Sequence, residues 1–358
     1  MTAHRVDGPV LVVGCGLIGT SVALALSDLG TDVHLRDLTP ATAEVAAQLG
    51  AGTVDPVDAP RIVVVAVPPA STAATVLALL EEFPTAVVTD VASVKSDIAA
   101  GVTGHPGAAR YVGGHPMAGT ERSGPMAAAP RLFEGRPWAV VPHADSTDDA
   151  VGRLTGLATA VGAVPMTMTP QAHDRAVALV SHVPHVVSVL TAGLLASAPR
   201  SHLDLAGPGL RDVTRVAGSE TGLWLDILGS NAGEVREVLT MLRGDLDRVL
   251  DALDAGGPTL SGRLADVLDA GRAGTRRIPG KHGDRAREHA VVHVQIADRP
   301  GELSRLMTHA GESDVNIEDI RIDHEYGRPV GLVEVEVAED RADHLVRSLT
   351  ARGWSAYR

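Results

Sequence analysis

The first 169 residues alternate short apolar runs with longer Ala- and Leu-rich stretches of helical spacing. Apolar runs occur at Pro9–Val13, Asp32–Arg36, Ile62–Val67 and Ala86–Asp90, and the alternation continues through Ala163–Thr169. Short apolar runs indicate buried strands, and stretches with a period of 3.6 residues indicate helices. Their regular alternation predicts an α/β domain over residues 1–169, with a doubly wound and mainly parallel sheet.

The pattern changes at Pro170. From there to residue 255 the spacing is helical, and the segment Val177–Leu195 is apolar nearly all round. Such a helix is usually buried, and a small helical domain offers little surface to bury it. We therefore expect an all-α domain over residues 170–255 that serves substrate binding and dimerisation, with a second copy of the chain covering the long helix.

A third pattern occupies the end of the chain. Residues 256–288 are rich in Gly and Arg, which favours a solvated linker or a frayed helix over a binding site for an acidic partner. Strands are expected at His289–Ala297, Val315–Asp323 and Val330–Val337, with helices between and after them. This βαββα pattern predicts a small α+β domain over residues 289–358, and Trp354–Tyr357 would supply the missing fourth strand.

The composition narrows the class of protein. With 45% hydrophobic and 21% charged residues, the 358-residue chain has the make-up of a globular protein. Its net charge of −13 argues against general nucleic-acid binding, because phosphates would repel an acidic surface. Cys15 stands alone and cannot form an intramolecular disulfide, and neither a signal peptide nor an apolar run of ~18 residues is evident. We expect a cytoplasmic protein with no membrane partner.

A glycine-rich loop follows the first predicted strand. The run Gly14-Cys15-Gly16-Leu17-Ile18-Gly19 has the spacing GxGxxG between a strand and a helix, the setting that dinucleotide binding requires. Gly14 would permit the tight turn, Gly16 the approach of a pyrophosphate, and Gly19 close packing of the helix. Leu17 and Ile18 would open that helix, whose N-terminus faces the phosphates.

Asp37 ends the second predicted strand, eighteen residues after Gly19. An acid at this position can accept hydrogen bonds from the ribose hydroxyls and would repel a 2′-phosphate. The sequence therefore predicts a Rossmann-type domain that binds NAD in preference to NADP. The neighbouring Arg36 weakens that preference.

Four polar segments follow the glycine loop: Asp90–Lys95, Gly113–Glu121, Ser181–His185 and Asp212–Arg215. Together with the loop, they resemble the prephenate/arogenate dehydrogenase family over residues 9 to about 250. The resemblance implies oxidative decarboxylation of a cyclohexadienol, in which C4 gives a hydride to NAD+, CO2 leaves and the ring becomes aromatic. The substrate would be prephenate, giving 4-hydroxyphenylpyruvate in tyrosine biosynthesis, or alternatively arogenate, giving tyrosine directly.

This reaction needs a base for the C4 hydroxyl proton. The ordinary histidine pKa of ~6.5 suits that role, so His115 is the expected base. By resemblance to the family, Ser93 shares the hydrogen bonding around the hydroxyl and the nicotinamide, and Ser181 joins it.

Cations must hold the two carboxylates of such a substrate. Arg215 can bind one through its planar fork, and His185 and Lys95 are further candidates. The family also has an ionic gate that includes the position of Arg215, partly across a subunit interface, and a tryptophan near its pocket. The other matching residues here are Glu121, Asp212 and Trp224.

Each of these side chains also has an ordinary structural interpretation. His115 could shape a turn, Arg215 could form an ion pair between helices, and Lys95 could be a solvated helix residue. His182 and His185 have a spacing that metal pairs use, but no third ligand is evident, so no metal is expected.

The segment Asp298-Arg299-Pro300-Gly301 resembles the start of an ACT domain, a module that binds amino acids between paired copies. Backbone N–H groups at Gly301 could face an amino-acid carboxylate, with Asn316 across from it in the paired copy. The resemblance implies feedback by an aromatic amino acid, with tyrosine expected. The alternative is a purely structural dimerisation module.

Two other functions remain open from the sequence. A β-hydroxyacid dehydrogenase shares both kinds of domain, but it usually needs a lysine base on the first interdomain helix, which here carries histidines and no lysine. A non-catalytic regulator that senses NAD and an amino acid would need an output surface, and no basic recognition helix is evident.

Overall fold

The computed structural model describes residues 6–119, 122–278, 289–324 and 330–358, which fall into two compact units divided after Leu242. The strands of the first unit are β1 (Val10–Val13), β2 (Val33–Arg36), β3 (Ile62–Val65), β4 (Val87–Asp90), β5 (Tyr111–Pro116), β6 (Pro137–Val141) and β7 (Val164–Thr167). They form one sheet in the order β2-β1-β3-β4-β5-β6-β7. Neighbouring strands are parallel except β5 and β6, which confirms the predicted doubly wound, mainly parallel sheet.

Helices cover both faces of this sheet. They are α1 (Leu17–Asp28), α2 (Pro40–Gln48), α3 (Pro69–Glu82), α4 (Ser96–Val102) and α5 (Asp148–Ala160). Val10 and Val12 belong to the core on one face, and Leu11 and Val13 to the core on the other. Each fully buried Val or Leu contributes ~1.5–3 kcal/mol relative to exposure. This two-sided burial fixes the strands in register, so the C-terminal ends of β1, β3, β4 and β5 share one edge, where such sheets bind ligands.

The rest of the first unit is helical. Its helices are α6 (Pro170–Val177), α7 (Val183–Leu195), α8 (Arg200–Leu203), α9 (Pro208–Thr214), α10 (Thr221–Ser230) and α11 (Ala232–Ala255), the last of which continues into the second unit. The Thr169 side chain caps α6 by accepting a hydrogen bond from the Ala172 N–H. A π-helical turn over Ala178–His182 joins α6 to α7. The predicted all-helical region is therefore confirmed, with one long helix at its start.

This long helix is buried on one side and exposed on the other. His182 and Ser188 are buried, whereas Leu190 and Leu194 are 62% and 76% exposed. The expected burial is thus incomplete in a single chain. By length and composition alone, Pro170–Leu195 is also apolar enough to cross a membrane, a test that core helices of globular proteins pass as well.

A helix follows α11 in the second unit, within the segment predicted to be a solvated linker or a frayed helix. Helix α12 spans Gly257–Thr275, so the linker predicted over 256–288 is wrong for these residues, which instead form a helix, the other interpretation of this segment. The Gly-Gly-Pro start resembles a loop, but proline is favourable in a first helical turn. Leu, Ala and Arg then supply good helix formers. Residues 279–288 lie outside the described part of the chain.

The C-terminal region of the second unit is a four-stranded antiparallel sheet with two helices. Its elements are β8 (His289–Ala297), α13 (Glu302–Gly311), β9 (Asp319–His324), β10 (Val330–Ala338), α14 (Glu339–Ala351) and β11 (Ser355–Tyr357). The strand order is β11-β8-β10-β9, with Val292 and Val294 packed in a core with Leu306 and Leu345. The α+β prediction is confirmed, including the fourth strand, although β9 begins at Asp319 instead of Val315.

Candidate active site

The glycine loop between β1 and α1 has two glycines that the fold requires and one that leaves open space. Gly14 has a φ of +98°, and a Cβ atom there would lie 2.3 Å from the Ala66 carbonyl oxygen. A Cβ atom at Gly19 would lie 1.9 Å from the Gly14 carbonyl oxygen, whereas nothing lies within 4 Å of one at Gly16. The open backbone at Gly16, at the N-terminus of α1 where Leu17 and Ile18 begin the helix, fits a pyrophosphate.

Asp37 lies beside this loop. Its Oδ2 accepts a hydrogen bond from the Cys15 N–H at 2.7 Å, and its Oδ1 accepts one from the Thr39 N–H at 2.9 Å. These bonds fix the carboxylate at the end of β2, while each oxygen keeps acceptor capacity for ribose hydroxyls. The arrangement fits the adenosine side of NAD.

The neighbouring Arg36 is engaged elsewhere. Its guanidinium forms a two-point ion pair with Glu82 at the end of α3, with both N–O distances 2.8 Å, and it lies 5.7 Å from the centre of the Phe83 ring. The Glu82 hydrogen bonds raise the pKa of Arg36 and lower that of Glu82. Because Glu82 holds the Arg36 guanidinium, Arg36 is less available to bind the 2′-phosphate of NADP.

A cavity of about 300 Å³ lies at the end of β5, bounded by the loop after β4, the π-helical turn and α10. Its lining is Ser93, His115, Pro116, Met117, Ala118, Gly119, Ser181, His182, Trp224 and Ile227. Four of the predicted site residues, from distant parts of the chain, thus meet in one cavity. A fifth, His185, stacks on Trp224 with ring centres 3.4 Å apart and an interplanar angle of 3°.

His115 is held by a chain of polar side chains. Its Nδ1 lies 2.8 Å from His173 Nε2, and His173 Nδ1 lies 2.8 Å from Asp174 Oδ1. The Asp174 carboxylate also accepts hydrogen bonds from the backbone N–H groups of Lys95 and Ser96, at 2.9 and 2.8 Å. Burial disfavours ionisation of Asp174, but the hydrogen bonds from His173 and Ser96 outweigh it and lower its pKa.

The electrostatic surroundings keep His115 neutral. Burial first, and then the positive charges that His173, Lys95 and His182 can carry, lower the pKa of His115 well below its usual value. A neutral imidazole can accept a proton, which is what a general base requires.

His173 and Asp174 were not predicted from the sequence as site residues. They are 1% and 2% exposed, in the first turns of α6. The available signal was a His-Asp pair at the start of an apolar helix, since buried polar residues are normally paired. Its partner His115 lies fifty-eight residues earlier, so the sequence alone could not reveal the contact.

The structure does not support the predicted contact of Lys95 with substrate. Lys95 is 1% exposed and its Nζ pairs with Asp90, which also accepts a hydrogen bond from the Tyr111 hydroxyl at 2.7 Å. Burial lowers the pKa of Lys95 against the opposing effect of Asp90. The side chain does not line the cavity, because the buried carboxylate at the end of β4 holds it beneath the site.

The predicted gate residues are only partly brought together. Trp224 lines the cavity, whereas Asp212 on α9 and Arg215 in the following turn are exposed and outside its lining. Their segment packs against α7, which carries His185. Glu121 lies outside the described residues.

The regulatory candidates lie at the start of α13 and before β9. Gly301 precedes α13 with a φ of +90°, and Asp298 is exposed in the turn before it. The Asn316 amide donates a 2.7 Å hydrogen bond to Glu318. Within the described ranges, no group of three or more His, Cys, Asp or Glu residues is arranged to hold a metal ion.

Comparisons with known proteins cover both regions of the first unit. Residues 22–167 match the family described as "Prephenate dehydrogenase, nucleotide-binding domain", and residues 169–258 match "Prephenate dehydrogenase, dimerization domain". A relative from Streptomyces niveus, "Probable prephenate dehydrogenase NovF", is 34% identical over 97% of this chain and 98% of its own length. That similarity therefore extends through the second unit.

Two solved structures are similar over about three quarters of the chain. Prephenate dehydrogenase from Aquifex aeolicus, in complex with hydroxyphenyl propionate and NAD+, has a TM-score of 0.68 and 26% identity, covering 75% of this chain and 97% of that one. Synechocystis arogenate dehydrogenase has a TM-score of 0.63 and 27% identity, covering 74% and 99%.

Proposed function

Because the chain belongs to the prephenate dehydrogenase family, we propose that it converts prephenate to 4-hydroxyphenylpyruvate in tyrosine biosynthesis. The class of reaction is an NAD-dependent oxidative decarboxylation. The observation that carries the proposal is the position of His115 at the edge of the sheet where the glycine loop also lies, in a cavity shared with Ser93. The name of the Streptomyces relative supports prephenate as the substrate.

The residues of the chain divide the chemistry between them. When bound, NAD+ supplies the hydride acceptor, and the loop Gly14–Gly19 would hold its pyrophosphate. His115 takes the proton of the C4 hydroxyl, since its lowered pKa leaves it unprotonated at neutral pH. Ser93, in the loop after β4, would hydrogen-bond to the same hydroxyl.

The carboxylates require a cation, and among the described residues no Lys or Arg lines the cavity. Arg215 lies in the turn after α9, which packs against α7, the helix that carries His185. We assign Arg215 to a substrate carboxylate. Burial lowers the pKa of His185, so we assign His185 to the substrate side chain as a neutral hydrogen-bonding group. Ser181 lines the cavity one turn before His185 and would add a hydroxyl donor. Asp212 and Glu121 would complete the ionic gate with Arg215.

We also infer a homodimer. The family match over residues 169–258 is to a dimerization domain. The exposed side of α7, with Leu190 and Leu194, is the face that a second copy would cover.

The C-terminal region of the second unit would bind an aromatic amino acid near Asp298, Gly301 and Asn316. Titration calorimetry with tyrosine on the wild type and on Gly301→Val tests this site, and unchanged binding in the variant removes Gly301 from it.

Arogenate is the second candidate substrate, and the similarity to Synechocystis arogenate dehydrogenase favours testing it. The decisive experiment measures kcat/KM for prephenate and arogenate, each with NAD+ and NADP+. We expect the highest value with prephenate and NAD+. A higher value with arogenate would reassign the substrate, and absence of turnover with both would favour the non-catalytic regulator.

A further inference from the structure

Two histidines of the cavity are held by separate branches of one polar network. Both branches start at Asp174: one at its carboxylate, leading through His173 to His115, and the other at its backbone carbonyl, leading through Asn231 to His182. Apart from His115, these residues are at most 4% exposed. Buried polar groups are normally paired, and the direction of each hydrogen bond in this network can be worked out from the groups that only accept.

The first branch fixes the proton on His115. The Asp174 carboxylate, kept ionised by its hydrogen bonds, can only accept, so His173 Nδ1 carries the proton and donates. In a neutral His173 the other nitrogen, Nε2, must then accept. Its partner at 2.8 Å is His115 Nδ1, which is therefore protonated. Within the described residues, no hydrogen bond engages the remaining nitrogen of His115, Nε2, so its lone pair can accept a proton.

The second branch fixes the proton on His182 in the opposite way. The Asp174 carbonyl oxygen can only accept, so the atom of Asn231 that contacts it at 2.9 Å must be the amide nitrogen Nδ2. The same nitrogen lies 3.1 Å from His182 Nδ1. Because Nδ2 has two protons and no acceptor capacity, His182 Nδ1 accepts the second one. A neutral His182 therefore carries its own proton on Nε2.

We propose that Asp174 and Asn231 hold His115 and His182 in opposite tautomers, so that His115 presents a proton acceptor and His182 a neutral hydrogen-bond donor to a substrate oxygen. The proposal rests on the proposed function for the identity of the substrate, but the tautomers themselves do not depend on it. Burial lowers the pKa of His182 to about 4, which keeps this donor uncharged at neutral pH.

The hydrogen bonds of the first branch also stabilise the positive charge that forms on His115 during the reaction. When its Nε2 takes the hydroxyl proton, the ring becomes positive, and its Nδ1–H already points to His173 Nε2. His173 is in turn bonded to the Asp174 carboxylate, so the new charge is stabilised through one intervening ring without a change of partners. His173 and Asp174 are therefore positioning residues that act through His115.

Nitrogen-15 NMR of histidine-labelled enzyme tests the tautomers without substrate or cofactor. Spectra are recorded well above the ordinary histidine pKa of ~6.5, and His115 and His182 signals are assigned by their loss in His115→Asn and His182→Asn. We expect His115 to be protonated at Nδ1 and His182 at Nε2. The same tautomer in both rings, or the reverse pattern, overturns the proposal while leaving the proposed reaction untouched.

Kinetics of His173→Phe and Asn231→Leu give a second test. Without its His173 partner, His115 can adopt the other tautomer, so we expect kcat to fall by at least ~10-fold, with KM nearly unchanged. In Asn231→Leu, the His182 donor is released, so KM should rise more than kcat falls. His143→Gln is the matched control, because His143 is buried and bonded to the Ala108 carbonyl outside the cavity. Wild-type kcat in His173→Phe contradicts the positioning role.

Discussion

The glycine loop and the polar network around His115 form two halves of one site by different physical means. The loop from Gly14 to Gly19 is built from backbone, within six consecutive residues, and two of its glycines are needed to avoid steric overlap. The network is built from side chains that come from β5, α6, the π-helical turn and the junction of α10 and α11. The first half holds a cofactor by shape, whereas the second controls protons through the order of its hydrogen bonds.

The largest effect should come from removing the proton acceptor at the end of the network. We expect His115→Asn to lower kcat by ~10²–10⁴-fold, the usual contribution of general base catalysis. Because the glycine loop is untouched, the Kd of NAD+ should hardly change. Steady-state kinetics and NAD+ titration check both values, with His143→Asn as the control. Normal turnover in His115→Asn would refute the assignment of the base.

The pH dependence of kcat/KM also tests His115 as the general base. Protonated His115 cannot accept the hydroxyl proton, so kcat/KM is lost as pH falls through the pKa of that ring. Since burial and neighbouring positive charges lower this pKa, the acid limb of kcat/KM should lie below the ordinary histidine value of ~6.5. An acid limb above that value would contradict the surroundings described for His115.

The next largest effect should distinguish a structural from a substrate-binding role for Lys95. Lys95→Met leaves the Asp90 charge buried without its cation, which should cost ~3–5 kcal/mol of unfolding free energy. The double variant Asp90→Asn/Lys95→Met removes both charges and should recover part of the loss. Denaturant unfolding measures this, and KM for prephenate should stay near the wild-type value. A raised KM with unchanged stability would restore the substrate contact.

The glycine loop allows a matched pair of substitutions. Gly19→Ala places a Cβ atom against the Gly14 carbonyl oxygen, so we expect a loss of ~1–3 kcal/mol or more, seen as a lower Tm. Gly16→Ala meets no protein atom within 4 Å. It should leave Tm nearly unchanged and raise the Kd of NAD+, because the added methyl occupies the space for the pyrophosphate. An equal loss of Tm in both variants would contradict this division.

The two halves also differ in how far the sequence predicts them. The spacing of Gly14, Gly16 and Gly19 specifies their roles because the contacts are local and steric. His115, Ser93 and Trp224 were found through motifs, but the link from His115 to His173 spans fifty-eight positions, and that from Asp174 to Lys95 spans seventy-nine. No local pattern encodes such pairings, since they depend on how the helical region packs on the sheet. The same reason explains why the sequence makes Lys95 a candidate for substrate contact or a solvated helix residue and does not reveal its pairing with Asp90.

The smallest effect concerns the choice of cofactor at the far side of the loop. Glu82→Ala releases Arg36 from its two-point ion pair, beside the Asp37 carboxylate. A partly exposed pair of this kind is worth at most ~1 kcal/mol, so we expect the kcat/KM ratio of NADP+ over NAD+ to rise by no more than ~5-fold. Asp37 still repels a 2′-phosphate, which keeps NAD+ preferred. Glu81→Ala is the control, because Glu81 lies near His105 and not Arg36. An unchanged ratio would mean that Arg36 does not reach the ribose and that Asp37 alone sets the preference.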